Sequence, residues 1–255
     1  MSRVSVVMPV YNCEQFVREA VDSILVQTFW DFEFIIVDDG STDRSAEIVN
    51  SFSDHRIQFI KNGENLGITK TLNAGLKTAS GEFICRMDAD DISSPNRLAE
   101  QVAFLDRHPE CAIVGSRSIL IDSNGKEIGY EGDSYPVVGL VKFIRNPFIH
   151  SSVIVRASAV RSAGMYDETK MHNEDYDLWL KILKSSGGAV VPDYFIRRRI
   201  HPGSITSSKE LELIRHRIGT LFSAVFFEYK NPFLALFLFR PVLSFCYRWL
   251  KNIVR

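Results

Sequence analysis

Two aspartates in the segment MDADD have the spacing of a metal-binding pair. Asp88 and Asp90 are two residues apart, and in an extended chain that spacing places both carboxylates on one side. Converging carboxylates suit Mg²⁺ or Mn²⁺, and a cation held there could bind a diphosphate. The same segment also fits an acidic turn before a helix, with Ser94 as the N-cap and Pro95 as the first helical residue. The spacing alone leaves both interpretations open.

A second acidic pair, Asp38 and Asp39, follows an apolar run in the segment FIIVDDGSTD. One of these carboxylates could accept hydrogen bonds from the imide N–H of a base or from sugar hydroxyls. The alternative is an Asx-type turn, in which the carboxylate bonds to the backbone of the following loop. Because two adjacent acids repel each other unless something compensates, the pair favours ligand binding.

Three carboxylates begin a predicted helix in the segment HNEDYDLWLK, and they are Glu174, Asp175 and Asp177. The apolar face of that helix is formed by Tyr176, Trp179, Ile182 and Leu183. Carboxylates in a first turn complement the helix dipole. A carboxylate at this position could instead act as a general base directed at a hydroxyl. The spacing does not decide between these roles.

Two histidines, His150 and His201, each follow an apolar run and precede small polar residues. A single histidine is more often a structural hydrogen-bonding residue than a ligand. His201 could nevertheless complete a metal site begun by Asp90, because imidazole is compatible with Mn²⁺.

The first half of the chain alternates β-rich runs with helical periodicity. Strands are predicted at 4–8, 32–37, 57–60 and 83–87, and helices at 16–25, 45–52, 68–78 and 96–107. This alternation predicts an α/β fold with a mostly parallel sheet flanked by helices. Ligands of such sheets bind beyond the carboxyl ends of the strands, where the acids lie. The sequence has no GxGxxG or GxxxxGK[ST] motif, which argues against dinucleotide and P-loop sites.

The pattern is less regular from Cys111 onward. Short strands are predicted at 112–116, 118–121, 152–155 and 196–200, and a helix at 174–184. We interpret residues 111–206 as a smaller mixed half that completes the site of the first half, residues 1–110, within one domain. Residues 115–147 are expected to hold flexible loops, and 125–139 is a candidate lid.

Charge and cysteine content exclude several classes of protein. The chain has 255 residues with 30 basic and 31 acidic side chains, so it lacks the basic excess of a general nucleic-acid-binding protein. The four cysteines form no CxxC pair that would indicate a zinc or dithiol site. The first residues lack the apolar span of a signal peptide, so export is not expected.

The residues after Glu228 differ from the rest, since they include five basic residues and no acidic one. Their uncharged runs are shorter than the roughly 20 residues that span a bilayer. A helix from Arg240 onward would place Arg248, Lys251 and Arg255 on one side and apolar residues on the other. We therefore expect residues 207–255 to be a helical tail that attaches to anionic lipid. The alternative is a helix that packs on the domain or on a partner subunit.

Four segments together resemble the family 2 glycosyltransferases, which have the GT-A fold. They are VSVVMPVYN, QTFWDFEFIIVDDGSTD, NLGITKTLNAGLKTASGEFICRMDADD and HNEDYDLWLK, in the order in which the family has them. The resemblance covers roughly residues 2–205. It implies inverting transfer of a sugar from a nucleotide-diphosphate donor, usually a UDP-sugar, to an acceptor hydroxyl, with Mn²⁺ or Mg²⁺ as cofactor.

The resemblance also implies roles for individual residues. Pro9 and Tyr11 would line the nucleotide pocket, and Asp39 would accept a hydrogen bond from the base. Asp88 would lie near the ribose and metal, Asp90 would bind the metal, and Asp175 would be the general base. Further expected contacts to the nucleotide-sugar are Asp38, Asn65, Gly67 and Arg86. Besides Asp90 the expected metal ligand is His201, and the expected acceptor-side residues are His150, Glu174 and Trp179.

The tail and the family resemblance lead to an expectation about the acceptor. A lipid-linked saccharide of bacterial O-antigen, capsule or other surface glycan assembly would suit an enzyme bound peripherally to the cytoplasmic side of the plasma membrane. One alternative is a sugar-phosphate nucleotidyltransferase, but MPVYNCEQF lacks the Gly-rich basic loop such an enzyme needs. Another is an inactive binding module, which the intact DAD and ED pairs argue against.

Overall fold

The computed structural model of the protein describes residues 2–139, 142, 145–170, 172–202, 210–238 and 242. The strands are β1 (Val4–Val10), β2 (Phe32–Asp38), β3 (Ile57–Lys61), β4 (Phe83–Arg86), β5 (Ile92–Ser93), β6 (Cys111–Ile121), β7 (Glu127–Glu131), β8 (Ile154–Arg156) and β9 (Gly187–Arg199). The helices are α1 (Val17–Leu25), α2 (Ser45–Asn50), α3 (Ile68–Thr78), α4 (Arg97–Arg107), α5 (Ala157–Ser162), α6 (Glu174–Ile182) and α7 (Glu210–Ser223).

The described strands form one sheet in the order β3-β2-β1-β4-β8-β6-β9-β5, and β7 pairs with β6. The strands β3, β2, β1 and β4 are parallel to one another. Every residue of β1 and β2 is buried, because helices cover both faces of this part of the sheet. The predicted α/β architecture with a mostly parallel first half is confirmed.

Successive residues of β1 point to opposite faces and enter two different cores. Val6 and Met8 pack with α1 and α4 on one face, while Val7 packs with α3 and α6 on the other. The approach of α3 is close, since a Cβ atom on Gly75 would lie 2.6 Å from Cγ1 of Val7. A glycine at this position therefore allows α3 to lie directly on the sheet.

In the second half of the sheet the chain runs first antiparallel and then again parallel to β4, so that later strands end where β4 ends. Strand β8 is antiparallel to both β4 and β6, and β9 runs parallel to β6. Consequently the carboxyl ends of β4, β6 and β9 and the start of β8 lie at one edge. The short strand β5 pairs antiparallel with the end of β9. This pairing brings the residues after β4 next to the last residues of β9.

The structure corrects several predicted boundaries. The pieces at 112–116 and 118–121 are one strand, β6, and the piece at 196–200 is the end of the longer β9. Within the predicted loop and lid region, β7 forms a hairpin with β6, and Tyr135 and Val138 form backbone hydrogen bonds with β9. Much of this stretch is therefore part of the sheet.

The helix predicted at 96–107 is present as α4, but the cap of the alternative interpretation, with Ser94 as the N-cap, is wrong. The helix begins at Arg97 with Asn96 as the N-cap. The backbone N–H of Ser94 instead donates to the carbonyl of Phe195 on β9, over 2.8 Å. This tertiary contact with a distant strand outweighs the local capping preference of Ser94.

The described C-terminal part packs on α6. Helix α7 continues into a π-helical turn at Ala224–Glu228 and a 3-10 segment at Pro232–Leu238, and a small core joins them to α6 through Tyr176, Leu180, Leu221 and Ala224. No helix among the described residues is long and apolar enough to cross a membrane. The basic helix predicted from Arg240 onward lies outside the described residues, apart from Val242.

Candidate active site

Three carboxylates converge at the carboxyl edge of the sheet, between β4 and β5. Single carboxylate oxygens of Asp88, Asp90 and Asp91 all lie within 4.8 Å of one another. Asp88 and Asp90 were expected to converge from their spacing. Asp91 was not among the predicted site residues, although it is the third acid of the same segment. The cluster has the all-oxygen chemistry that Mg²⁺ and Mn²⁺ prefer.

His201 joins this cluster from the chain that follows β9. Its Nε2 lies 3.0 Å from Oδ2 of Asp90, and its ring packs against Phe16 at 5.0 Å between centroids. Burial and the neighbouring Asp88 raise the pKa of Asp90. The structure thus brings together the two residues that the sequence nominated as metal ligands.

Asp91 is held more tightly than its neighbours. It is 2% exposed, and it accepts hydrogen bonds from Oγ of Ser151 over 2.5 Å and from the backbone N–H of Arg199 over 2.9 Å. Burial and the two neighbouring carboxylates raise the pKa of Asp91 to about 8. Both of its oxygens are engaged, so this residue anchors the acidic segment to β9 and to the turn before β8.

A buried guanidinium balances part of this negative charge. Arg86 on β4 is 4% exposed and forms an ion pair with Asp88. The ion pair is made by Nη1, and within the described part of the chain Nε has no hydrogen-bond partner. Burial raises the pKa values of Glu174 and Asp175, and the positive charge of Arg86 offsets part of that rise by favouring their ionised forms. Arg86 therefore connects the two acidic groups of the site electrostatically.

The second acidic group begins helix α6. Burial raises the pKa of Asp175, and burial together with the charge of Asp175 raises the pKa of Glu174 to about 7. Nδ2 of Asn146 donates to Oδ2 of Asp175 over 2.8 Å, and this bond stabilises the ionised carboxylate. A raised pKa brings a carboxylate closer to the basicity that suits a general base. Asn146 was missed, since no local pattern marks it.

The predicted acceptor-side residues His150 and Trp179 lie in one aromatic group with Tyr166, in which His150 is half-buried. Nε2 of His150 lies 2.8 Å from the hydroxyl of Tyr166, and its ring packs edge-on against Trp179. Burial and the charge of Arg86 lower the pKa of His150 well below its ordinary value, so the ring is neutral at pH 7. Trp179 is 1% exposed and forms part of the core behind the site.

Asp39 connects β2 to the loop that precedes α3. Its Oδ1 accepts from Nδ2 of Asn62 and the N–H of Leu66, and its Oδ2 accepts from the N–H of Gly67, all within 2.9 Å. These hydrogen-bond donors offset the repulsion between the adjacent carboxylates of Asp38 and Asp39. Asn65 is exposed and bonds to the N–H of Gly67, which has a φ of +89°.

Asp38 is completely buried, and its Oδ2 accepts from the N–H of Ser41 over 3.2 Å. Within the described residues its Oδ1 has no hydrogen-bond partner. Asp38 therefore makes the turn contact expected of an Asx-type residue and keeps one oxygen unbonded. Pro9 is buried on β1, while Tyr11, just beyond the end of β1, is 49% exposed.

Comparison with known proteins identifies the family. A model described as glycosyl transferase family 2 matches residues 5–167. The chain belongs to this family. Among its relatives, the putative glycosyltransferase EpsE of Bacillus subtilis strain 168 is 37% identical over 187 residues, which cover 71% of this chain and 67% of EpsE. An uncharacterized glycosyltransferase of Haemophilus influenzae is 33% identical over 223 residues, or 80% of this chain and 67% of the relative.

This glycosyltransferase therefore spans about two thirds of the length of these curated relatives. The predicted nucleotidyltransferase alternative is not supported by the family match.

Solved structures share the fold of this glycosyltransferase. A complex of S. aureus TarS 1-349 with UDP has a TM-score of 0.73 at 24% identity and covers 93% of this chain and 71% of that chain. The mannosyltransferase PcManGT of Pyrobaculum calidifontis, in complex with GDP-Man and Mn²⁺, has a TM-score of 0.68 at 16% identity and covers 95% and 74%. These likenesses confirm the predicted GT-A-type fold.

Proposed function

We propose that this glycosyltransferase transfers a sugar from a UDP-sugar to an acceptor hydroxyl with inversion, and that it requires Mn²⁺ or Mg²⁺. The observation that carries the proposal is the pair of acidic groups at one sheet edge, with Arg86 ion-paired to Asp88 and acting electrostatically on Glu174 and Asp175. The first group, Asp88, Asp90 and Asp91, offers the oxygen ligands of a metal site. The second group, Glu174 and Asp175, has the raised pKa values that suit a general base. A UDP-sugar donor is supported by the complexes of TarS with UDP and UDP-GlcNAc.

The residues present fit a hard divalent cation. Three carboxylates lie within 4.8 Å of one another, and such crowded charge favours a cation with oxygen ligands. Asp88, Asp90 and His201 would hold the metal, and Asp91 would keep the segment in place through its bonds to Ser151 and Arg199. A metal bound here would neutralise the negative charge that develops on the departing diphosphate.

The protein's own residues supply the proton transfer. The acceptor oxygen forms a bond to the anomeric carbon as the bond from that carbon to the diphosphate oxygen breaks. The carboxylate of Asp175 takes the proton of the acceptor hydroxyl, and Asn146 orients that carboxylate. A single displacement from the opposite face inverts the configuration, without the covalent intermediate of a retaining hydrolase.

A panel of nucleotide-sugars tests the reaction. The full chain is incubated with UDP-sugars and with GDP-mannose, in Mn²⁺, Mg²⁺ or EDTA, together with lipid-diphosphate saccharides, and products are identified by mass spectrometry. We expect transfer or slow hydrolysis of a UDP-sugar that EDTA abolishes. Turnover that is unchanged in EDTA would refute metal dependence, and turnover of GDP-mannose alone would refute the UDP assignment.

The metal assignment has a matched pair of variants. Asp90→Ala should weaken metal-dependent donor binding, because it removes a carboxylate from the cluster and the partner of His201. Asp22→Ala, which removes an exposed carboxylate on α1, is the control and should bind the donor normally. An unchanged metal titration in Asp90→Ala would contradict the assignment.

For the acceptor, we propose a lipid-linked saccharide of bacterial surface glycan assembly, with the enzyme bound peripherally to the cytoplasmic face of the plasma membrane. The basic residues after Glu228 support attachment to anionic lipid. Large apolar side chains are also exposed on the described C-terminal part, and they are Phe222, Phe226, Phe227, Phe233 and Leu236. Exposed aromatic side chains beside basic residues are typical of interfacial attachment.

A further inference from the structure

Arg199, the last residue of β9, has a guanidinium that is buried and bonded from three directions. Its Nε donates to the carbonyl of Asp90 over 2.9 Å. Its Nη1 donates to the carbonyls of Asp122 and Ser123, over 3.1 and 3.2 Å. Its Nη2 donates to Oε2 of Glu19 over 2.6 Å. All three nitrogens are thus engaged by the protein, so this residue supports the site rather than binding substrate.

The backbone of Arg199 holds the neighbouring acid. Its N–H donates to Oδ1 of Asp91 over 2.9 Å. Arg199 therefore bonds two consecutive acids of the cluster, Asp90 through its side chain and Asp91 through its main chain. The ladder between β5 and β9 ends just before this point, at the pair Ile92 and Arg197. Arg199 therefore extends the attachment of the acidic segment beyond the last paired residues of the sheet.

Arg199 also fixes the start of the segment that carries His201. The guanidinium carbon lies 4.6 Å from the centroid of the Phe16 ring, and the same ring packs against His201 at 5.0 Å. Glu19 lies on α1, one turn beyond Phe16, so both contacts tie the end of β9 to the same helix start. His201 is consequently held where its Nε2 reaches Asp90.

From this arrangement we infer that Arg199, supported by Glu19, is a positioning residue. It sets the geometry of the proposed metal ligands Asp90 and His201, and of Asp91, which anchors the acidic segment. The inference rests on the proposed metal dependence. The physical basis of the positioning role is the fork shape of the guanidinium. It bonds at the same time to the acidic segment, to the turn after β6 and to α1. A lysine has the same charge but no rigid fork, so it cannot make these bonds together.

Direct metal binding tests the inference in the full chain. Mn²⁺ is titrated into the protein with UDP present, and free Mn²⁺ is followed by its EPR signal. We expect Arg199→Met to weaken Mn²⁺ binding by about 10- to 100-fold, the usual effect of losing support behind metal ligands. Arg199→Lys should remain clearly weaker than the wild type. Glu19→Gln should weaken binding by about two- to fivefold, since the Glu19 side of the ion pair is exposed.

Glu47→Gln is the matched control. Glu47 pairs with Arg44 over 2.8 Å at the start of α2. Glu47 is about as exposed as Glu19, but its partner Arg44 is exposed whereas Arg199 is buried. This variant should bind Mn²⁺ as the wild type does. A second readout separates positioning from general weakening: at saturating Mn²⁺, the KM for the donor should stay unchanged in Glu19→Gln while the Mn²⁺ concentration for half-maximal rate rises.

The outcomes are distinct. Wild-type affinity for Mn²⁺ in Arg199→Lys, or in a folded Arg199→Met, would overturn the positioning role. If Arg199→Met does not fold, Glu19→Gln decides, and equal effects of Glu19→Gln and Glu47→Gln would overturn it too. Failure of the wild type itself to bind Mn²⁺ would instead overturn the proposed metal dependence, and with it this inference.

Discussion

At the scale of single residues, the assignment of Asp175 as the base makes a sharp prediction. Its carboxylate is bonded to Asn146 at the start of α6. We expect Asp175→Asn to lower kcat by about 10²- to 10⁴-fold, because general-base catalysis contributes on that scale. UDP binding should not change, since the substitution keeps the size of the side chain. Product formation by mass spectrometry and UDP affinity by calorimetry measure the two effects, and near-normal turnover would contradict the assignment.

The same residue pair predicts a pH dependence. A base must be ionised, and burial raises the pKa of Asp175, so activity should fall as the pH is lowered through that raised pKa. Asn146→Ala removes a donor that stabilises the ionised form, which raises the pKa further. The acidic limb of the pH–rate profile should therefore move to higher pH. Asn50→Ala, which removes an exposed amide on α2, should leave the profile in place; a shift to lower pH in Asn146→Ala would refute the argument.

At the scale of elements, the packing of α3 on the sheet tests how the site is positioned. Gly75→Ala improves helix propensity by about 1 kcal/mol, but the new Cβ would lie 2.6 Å from Cγ1 of the buried Val7. Overpacking of a core costs about 1–3 kcal/mol, so we expect a net loss of stability. Gly219→Ala on α7 is the control, because its Cβ would meet nothing within 4 Å, and it should be neutral or stabilising. Urea unfolding measures both, and equal effects would contradict the packing argument.

At the scale of the whole molecule, the near balance of 30 basic and 31 acidic residues conceals an uneven distribution. Acids gather at the sheet edge, while five basic residues and no acids follow Glu228. We expect truncation after Leu238 to reduce binding to anionic vesicles in a flotation assay, because it removes basic residues that each contribute about 1 kcal/mol near such a surface. The truncation keeps Leu234 and Phe237, which pack against the core near α6. Undiminished flotation of the truncated chain would refute attachment through the tail.

Local pattern was sufficient for much of the fold. The strands and helices of the first half follow from apolar runs and helical periodicity, and α3 has the predicted bounds of 68–78. Such elements form wherever neighbouring residues share a period, so sequence spacing carries the information. The second half was predicted less well, because β6 and β9 are long strands with register shifts and their ladder joins distant segments. Local periodicity does not record such pairing.

By itself, the sequence determined that acids follow the strands of an α/β sheet, and that the segments MDADD and HNEDYDLWLK carry carboxylates suited to a metal and a base. Only the tertiary structure decided which residues complete each group. His201 meets Asp90 across 111 positions, and Arg199 meets Glu19 across 180, since β9 lies parallel to β6 and its end returns to the sheet edge. Asn146 reaches Asp175 across 29 positions. These contacts depend on long-range strand pairing and burial, which fix partners that no spacing along the chain could indicate.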